Sequence, residues 1–502
     1  MRLLFFVHRW VGVALALFML LWFSSGLIIA NSGSIALSRS AQLAHAQKLD
    51  PAAAWLPLGE ALQRSGWKGA VTEARLLRLG EEPAWLVESE DGKRVPLSAQ
   101  DGSRIEVTTP IAQRIAYDWL ASEGTAQGVA YLDTVDMVIG LRNAEALKPF
   151  HRFSTDDGVI VVVSAKSGEV LQAATRAQRI LYYVGGWVHL FRPLDLLGAG
   201  EWRRSALTYA GLFAFVGALT GVVIGWLKWK PGFFGRPTYA RGRTQPYRES
   251  WFKYHFWAGL IGGVFALLWA GSGFLSTNPG DIFSSPTPSR DELARYRGGD
   301  LPRVAKEWAP SKEAVEADIV ELRWSRLGDG AALIGFDRDG ARRALPIPGA
   351  QTSFDETALV SAAQRLAGAT KVAAVERIEE YDSYYFAGHG AGAFDRPLPA
   401  LRVDLADALH GALYLDPQDG RLLLKIDDKR RAWRWLYSAA HHWDFGWFAH
   451  HPLARRVWIV TWVLFGLTLA TSAVVLAWRR LRRSLPQRAA EEPSREATVP
   501  AE

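Results

Sequence analysis

The 502-residue chain contains no cysteine. That excludes disulfides, iron–sulfur clusters, thiolate-ligated haem and covalently attached haem. Methionine is nearly as scarce, at three residues, and Met19 alone falls within a long apolar run. A thioether is therefore a poor candidate for metal binding. Charge is missing locally: Val11–Ile29, Ala206–Leu227, Phe256–Leu275 and Val457–Ala477 hold no charged side chain. Each is long enough to cross a hydrocarbon core of about 30 Å as a helix rising about 1.5 Å per residue. A cleaved leader is the rival reading of the first. Its apolar run exceeds the usual leader core of about 7–15 residues, and no clear small-x-small cleavage site follows, which favours an uncleaved helix.

Basic residues are plentiful, 58 against 51 acidic ones, for a net charge of +7. They cluster beside the apolar runs: Arg2 and Arg9; Lys228 to Lys253; Arg479, Arg480, Arg482 and Arg483. Basic residues in short loops stay cytoplasmic, so both termini are expected inside and two large segments outside. This charge is a topology signal and gives no reason to expect nucleic-acid binding. The expected order is a first membrane helix (1–31), an outer segment (32–202), a second helix (203–229), a basic inner loop (230–251), a third helix (252–276), a second outer segment (277–454), a fourth helix (455–479) and a polar, disordered tail (480–502).

The strongest positive signal is repetition. His8-x-Trp10-x-Gly12, Phe18, Trp22, Ser25-Gly26 and Asn31 return 247 residues on as His255-x-Trp257-x-Gly259, Phe265, Trp269, Ser272-Gly273 and Asn278. The counterpart of Met19 is Ala266. Further along the offset is 252: Ser167-Gly168 falls on Asp419-Gly420, His189 on His441, Arg203-Arg204 on Arg455-Arg456 and Trp226 on Trp478. The chain reads as a duplicated unit of helix, outer α+β domain, histidine-bearing pre-helix and helix. In the first outer segment a helix is expected over Ala52–Arg64, strands at Ala74–Leu79, Ala84–Glu88 and Arg94–Leu97, a helix near Pro110–Ala121, and strands at Val159–Val163 and Glu169–Ala173. The second repeats the order, with a helix from Ser311, strands around Ala331–Phe336, a helix at Glu356–Ala367 and a closing hairpin at Asp419-Gly420.

Of eleven histidines only His8, His255, His189 and His441 are repeat-matched. In a duplicated four-helix bundle, matched elements face each other across a pseudo-two-fold axis. His8 would then face His255 near one membrane surface, and His189 would face His441 near the other. Two facing imidazoles are what a b-type haem requires, and bundle cores are common cofactor sites. Bis-histidine iron has no open position and suits electron transfer. The competing reading is interfacial histidines with hydrogen-bonding roles. His442, beside His441, is an alternative ligand. Gly12, Gly26, Gly259, Gly262, Gly263 and Gly273 would leave room for a macrocycle, or serve close helix packing. Arg203, Arg204, Arg455 and Arg456 are either propionate anchors or snorkelling interfacial residues. Most tryptophans read as an interfacial belt; Trp22 and Trp269 lie deeper and could assist electron passage. His45, His151, His410, His450 and His451 read as structural, and His389 sits in a glycine-rich loop. That loop, Gly388-x-Gly390-x-Gly392, has the wrong spacing for a dinucleotide fingerprint. The inner loops are too short for a flavin or nicotinamide domain, so a quinol or a redox partner protein must supply electrons.

The repeated His-x-Trp-x-Gly opening, Tyr381-Asp382-Ser383-Tyr384-Tyr385, Leu413-Tyr414-Leu415-Asp416-Pro417-x-x-Gly420 and His441-His442-Trp443-Asp444-Phe445 together resemble the PepSY-associated transmembrane family, the iron-regulated membrane proteins of bacteria. The first outer segment departs from this pattern, offering only Tyr131-Leu132-Asp133 for the tyrosine run. The resemblance implies a membrane α-helical, four-span bundle with two periplasmic α+β PepSY-like domains in the bacterial inner membrane. It further implies haem b, in two copies here, on His8, His255, His189 and His441, and reduction of a ferric siderophore or similar chelate. A non-redox PepSY module that binds a peptidase or envelope partner, or a transporter accessory, competes with that reading.

Overall fold

A computed structural model describes residues 1–50, 53–124, 128–142, 144–233, 235–309, 318–388 and 392–484. The helix expected from Ser311 and the loop residues His389 and Gly390 lie outside them. Among the described residues, four helices are long and apolar enough to cross a membrane: Arg2–Ile29, Arg203–Lys228, Ser250–Ser276 and Pro452–Ser484. The fourth runs past the expected end at 479, because its arginine-rich extension is built of good helix formers. The chain from 485, most of the expected tail, lies outside the described residues.

The chain divides into two compact units. The first comprises Met1–Ser24, Thr208–Phe274 and the chain from Trp458. Its helices approach closely at glycines. A Cβ on Gly262 would lie 2.6 Å from that of Phe465, and one on Gly211 would lie 3.0 Å from Phe274 Cα. Cβ atoms on Gly263 and Gly259 would meet Val222 and Leu469 at 3.1 and 3.5 Å. These three of the six flagged glycines (Gly259, Gly262 and Gly263) therefore serve helix packing. Phe265 stacks on Trp462 with centroids 3.7 Å apart.

The second unit comprises Ser25–Leu207 and Leu275–Val457. Its first stretch carries β1 (Val71–Leu79), β2 (Glu82–Ser89), β3 (Arg94–Ser98), β4 (Ala130–Val135), β5 (Phe150–Ser154), β6 (Ile160–Ser164) and β7 (Val170–Ala174). Its second carries β8 (Glu321–Leu327), β9 (Gly330–Phe336), β10 (Arg342–Leu345), β11 (Val372–Ile378), β12 (Ala400–Leu405), β13 (Ala412–Leu415) and β14 (Leu422–Ile426). β4–β7 and β11–β14 form two antiparallel meanders. The remaining six strands form one sheet in the order β10-β9-β8-β1-β2-β3. Helix Thr109–Ser122 buries Ala112, Ile115, Ala116 and Trp119 against Phe153, Val161 and Val163. Helix Glu356–Ala367 buries Leu359, Ala362, Ala363 and Leu366 against Leu401, Val403 and Leu413.

The expectation of two separate outer domains is therefore corrected. Antiparallel pairing of β1 with β8, in register Arg75↔Arg323, joins both segments in one sheet. Every residue of β8 is buried, and a strand with two buried faces gains by pairing along both edges. The charged residues of Glu321-Leu322-Arg323-Trp324 suggest one solvated face, but here they are ion-paired inside. Arg75 contacts Glu169 at 2.7 Å, Glu73 at 3.2 Å and Glu321 at 3.8 Å. Arg94 reaches Glu169 at 3.1 Å. Around the other strand, Arg323 and Arg421 pair with Asp419, and Arg342 with Asp416. Burial opposes ionisation of Glu73, but Arg75, Arg323 and Arg94 outweigh it and hold its carboxyl at about 2. Glu169 is likewise buried and held well below its ordinary range by Arg75 and Arg94. Burial and the Asp419 charge instead raise Asp416.

Candidate functional site

His8 lies in the second turn of the first spanning helix. Its Nδ1 is 3.1 Å from Gly217 O on the second spanning helix. Thr220 Oγ1 stands 3.4 Å from the same nitrogen while donating to Val216 O and Gly217 O. His255 occupies the second turn of the third helix, with Nδ1 3.1 Å from Ser472 Oγ on the fourth. Ser472 donates its proton to Leu469 O at 2.8 Å. Its oxygen therefore accepts from Nδ1–H, an assignment made from the network. Gly217 and Thr220 precede Leu469 and Ser472 by the same 252-residue offset. Each ring is thus anchored through Nδ1, so that Nε2 is the nitrogen that could hold a metal, as when an imidazole's other nitrogen is engaged.

The two ring centres are 6.2 Å apart, with planes inclined by 50°. A metal–imidazole bond of about 2.0–2.1 Å, plus about 1.1 Å from nitrogen to ring centre, places two rings on opposite sides of one metal about 6.3 Å apart. The observed spacing fits. Gly221 makes room: a Cβ there would lie 2.8 Å from His8 Cε1. No group of three or more His, Asp or Glu side chains suited to a metal converges among the described residues. A macrocycle supplies four ligands itself, so two imidazoles suffice.

The second histidine pair belongs to the other unit. Each pre-helix contains a π-turn immediately before its histidine, at Tyr183–Trp187 and Arg434–Ala439. π-Turns cluster at functional sites because the extra residue redirects side chains. His189 Nδ1 lies 2.9 Å from buried Ser25 Oγ, and a Cβ on Gly26 would sit 3.5 Å from its Cε1. Gly185 packs on Ile28, where a Cβ would come within 2.8 Å. His441 and His442 follow the second π-turn, with Tyr437 5.5 and 5.6 Å away centre to centre. His442 Nδ1 is 3.0 Å from Ser438 O. The segment ends at Trp443, whose φ of 56° breaks the helix. Arg434 braces the break through Asp444, at 2.6 Å to Oδ1 and 2.8 Å to its carbonyl.

The arginine pairs have chain partners. Arg203 contacts Asp195 at 3.2 Å. Arg204 binds Thr277 O, Asn278 O and Asp281 at 3.0, 2.6 and 2.6 Å, and Arg456 holds Asn31 Oδ1 at 2.5 Å. These contacts give three of the four a structural role. His45 packs on Trp119, His151 is buried against Val107 O and Thr134, His410 bonds Asp428, and His451 stacks on Trp447. Trp22 packs at a tilt on Phe18 and Trp269 packs edge-on against Phe23. Sequence reading missed Thr220, Ser472 and Gly221. Carrying the 252-residue offset into the spans would have found the first two, since hydroxyls recur there.

Four membrane-length helices and histidines anchored through Nδ1 define a helical membrane protein with a substantial β-rich unit. Residues 5–332 match the family described as PepSY-associated TM region, and the chain belongs to that family. No curated protein matches it.

Proposed function

We propose that this protein is a b-type haem protein of the bacterial inner membrane that passes electrons outward to reduce a ferric siderophore or a related iron chelate. The observation that carries this reading is the His8–His255 pair: two imidazoles at bis-ligation spacing, each with Nδ1 engaged. His189 with His441, or its neighbour His442, is the candidate second pair. Bound haem would supply one-electron chemistry between ferrous and ferric iron. The protein's part is to fix the imidazole tautomer and ring position through Gly217, Thr220 and Ser472, and through Ser25 on His189. The β-rich unit would be periplasmic and receive the chelate, with both termini cytoplasmic as the flanking basic residues require. A quinol or a redox partner protein is the donor. Reduction weakens chelate binding because siderophore oxygens favour the harder ferric ion.

A reduced-minus-oxidised spectrum of protein purified from haem-replete cells tests this. A b-type signal, diminished in His8→Ala and His255→Ala and in one of His441→Ala and His442→Ala, is expected. A colourless, folded protein would overturn it in favour of a non-redox PepSY binding or regulatory role, or a transporter accessory.

A further inference from the structure

One face of the second pre-helix carries a ladder of side chains that the duplication does not explain. The Arg430 guanidinium carbon sits 3.4 Å from the centre of the Trp433 ring. Trp433 and Tyr437 have centroids 4.9 Å apart, and Tyr437 leads to His441 at 5.5 Å. At the matched positions 252 residues earlier stand Gln178, Leu181 and Gly185, and His442 corresponds to Leu190. Only the histidine itself is shared between the halves. The ladder therefore answers a need of one half alone, as an asymmetric ligand would impose.

Its polar groups are unspent. Among the described residues the Arg430 guanidinium makes no hydrogen bond, its cap Asp427 being taken up by Arg430 N and Ser284. Among the described residues the Tyr437 hydroxyl has no hydrogen-bond partner either, and Arg142 adds positive charge near it. Burial lowers Arg430 to about 10, and it remains cationic at neutral pH. Asp444 and Asp428, the nearby carboxylates of this segment, are already paired with Arg434 and Arg431. A planar guanidinium held on an indole keeps its forked edge for a carboxylate.

We propose that Arg430, Trp433 and Tyr437 form a carboxylate-binding niche leading to His441 and His442. The carboxylate is a haem propionate or a carboxylate arm of the iron chelate. The niche offers an anchor in place of Arg203, Arg204, Arg455 and Arg456, for which the sequence left propionate anchoring and snorkelling as alternatives, and in its propionate form it rests on the haem reading above.

The test uses full-length, detergent-purified protein as wild type, Arg430→Gln and Tyr437→Phe. Retention of hemin is compared with that of hemin dimethyl ester, and binding of ferric citrate with that of a ferric tris-hydroxamate lacking carboxylates. Loss of a charge-assisted pair weakens binding about tenfold or more. A drop for hemin but not its ester, in both variants, supports the niche with a propionate occupant. Unchanged hemin with a drop for ferric citrate but not the hydroxamate supports it with a chelate occupant. Equal retention of all four probes by wild type and variants overturns it. If wild type takes up no hemin, the haem reading fails, and the citrate comparison alone decides the niche. Should Arg430→Gln not fold, Tyr437→Phe, which removes one oxygen, carries the same comparisons.

Discussion

Gly221→Ala adds one methyl group beside His8. The new Cβ would stand 2.8 Å from His8 Cε1 and 3.3 Å from Nδ1, whereas carbon atoms settle at about 3.5–4.0 Å. The ring must therefore retreat by about 0.7 Å or more. Retreat from the second spanning helix stretches the 3.1 Å bond from Nδ1 to Gly217 O, a bond worth about 0.5–1.5 kcal/mol net. It also moves Nε2 by a third of a metal–nitrogen bond of about 2 Å. Disturbing an outer-shell partner alone typically costs about 10–100-fold in metal affinity, so haem retention at this pair should fall at least tenfold. Gly225→Ala is the control, because a Cβ there meets only Leu260 Cδ1, at an ordinary 3.8 Å. Alanine is favoured over glycine in helices by about 1 kcal/mol, so loss of haem in Gly221→Ala cannot be ascribed to a weakened helix. The assay is the haem-to-protein ratio by pyridine haemochrome, with circular dichroism to verify folding. Gly221→Ala should lose the haem of one pair while Gly225→Ala matches wild type. Unaltered stoichiometry and spectrum in Gly221→Ala would refute the assignment of His8 as a ligand.

Ser472→Ala removes the acceptor of His255 Nδ1 and should lower haem retention about tenfold, measured by dilution or transfer to apomyoglobin; Thr220→Ala, 3.4 Å from His8 with Gly217 O still in place, should cost less. Arg323→Met strands buried Asp419, which keeps Arg421 and a longer contact to Arg342. The expected loss is near the lower end of about 3–5 kcal/mol, read by thermal unfolding, with partial recovery in Arg323→Met/Asp419→Leu. The β-rich unit should lose stability in acid. Glu73 and Glu169 have folded-state pKa values depressed below the ordinary 4.5, Glu73 to about 2, so their contribution is full above pH 4.5 and disappears as pH falls toward 2. Glu73→Gln/Glu169→Gln should flatten that part of a pH–stability profile; an unchanged slope would assign acid sensitivity elsewhere.

The four spans, both pre-helix histidines and the repeat were legible in the amino-acid order, because apolar length and fixed offsets are one-dimensional properties. Helix Glu356–Ala367 was likewise predictable, its apolar positions recurring at helical spacing and Asp355 capping it. The merging of two segments through β1 and β8 was not legible. Charged residues in a strand ordinarily mean solvent, and only partners distant in sequence, such as Glu169 for Arg75 or Asp419 for Arg323, reverse that meaning. The same limit applied to the arginine pairs, whose acceptors are side chains and carbonyls brought near by folding. Sequence alone determined which histidines correspond. Tertiary structure decided that His8 and His255 stand 6.2 Å apart with one nitrogen each engaged, because a hydrogen bond depends on atoms meeting in space and not on their order along the chain.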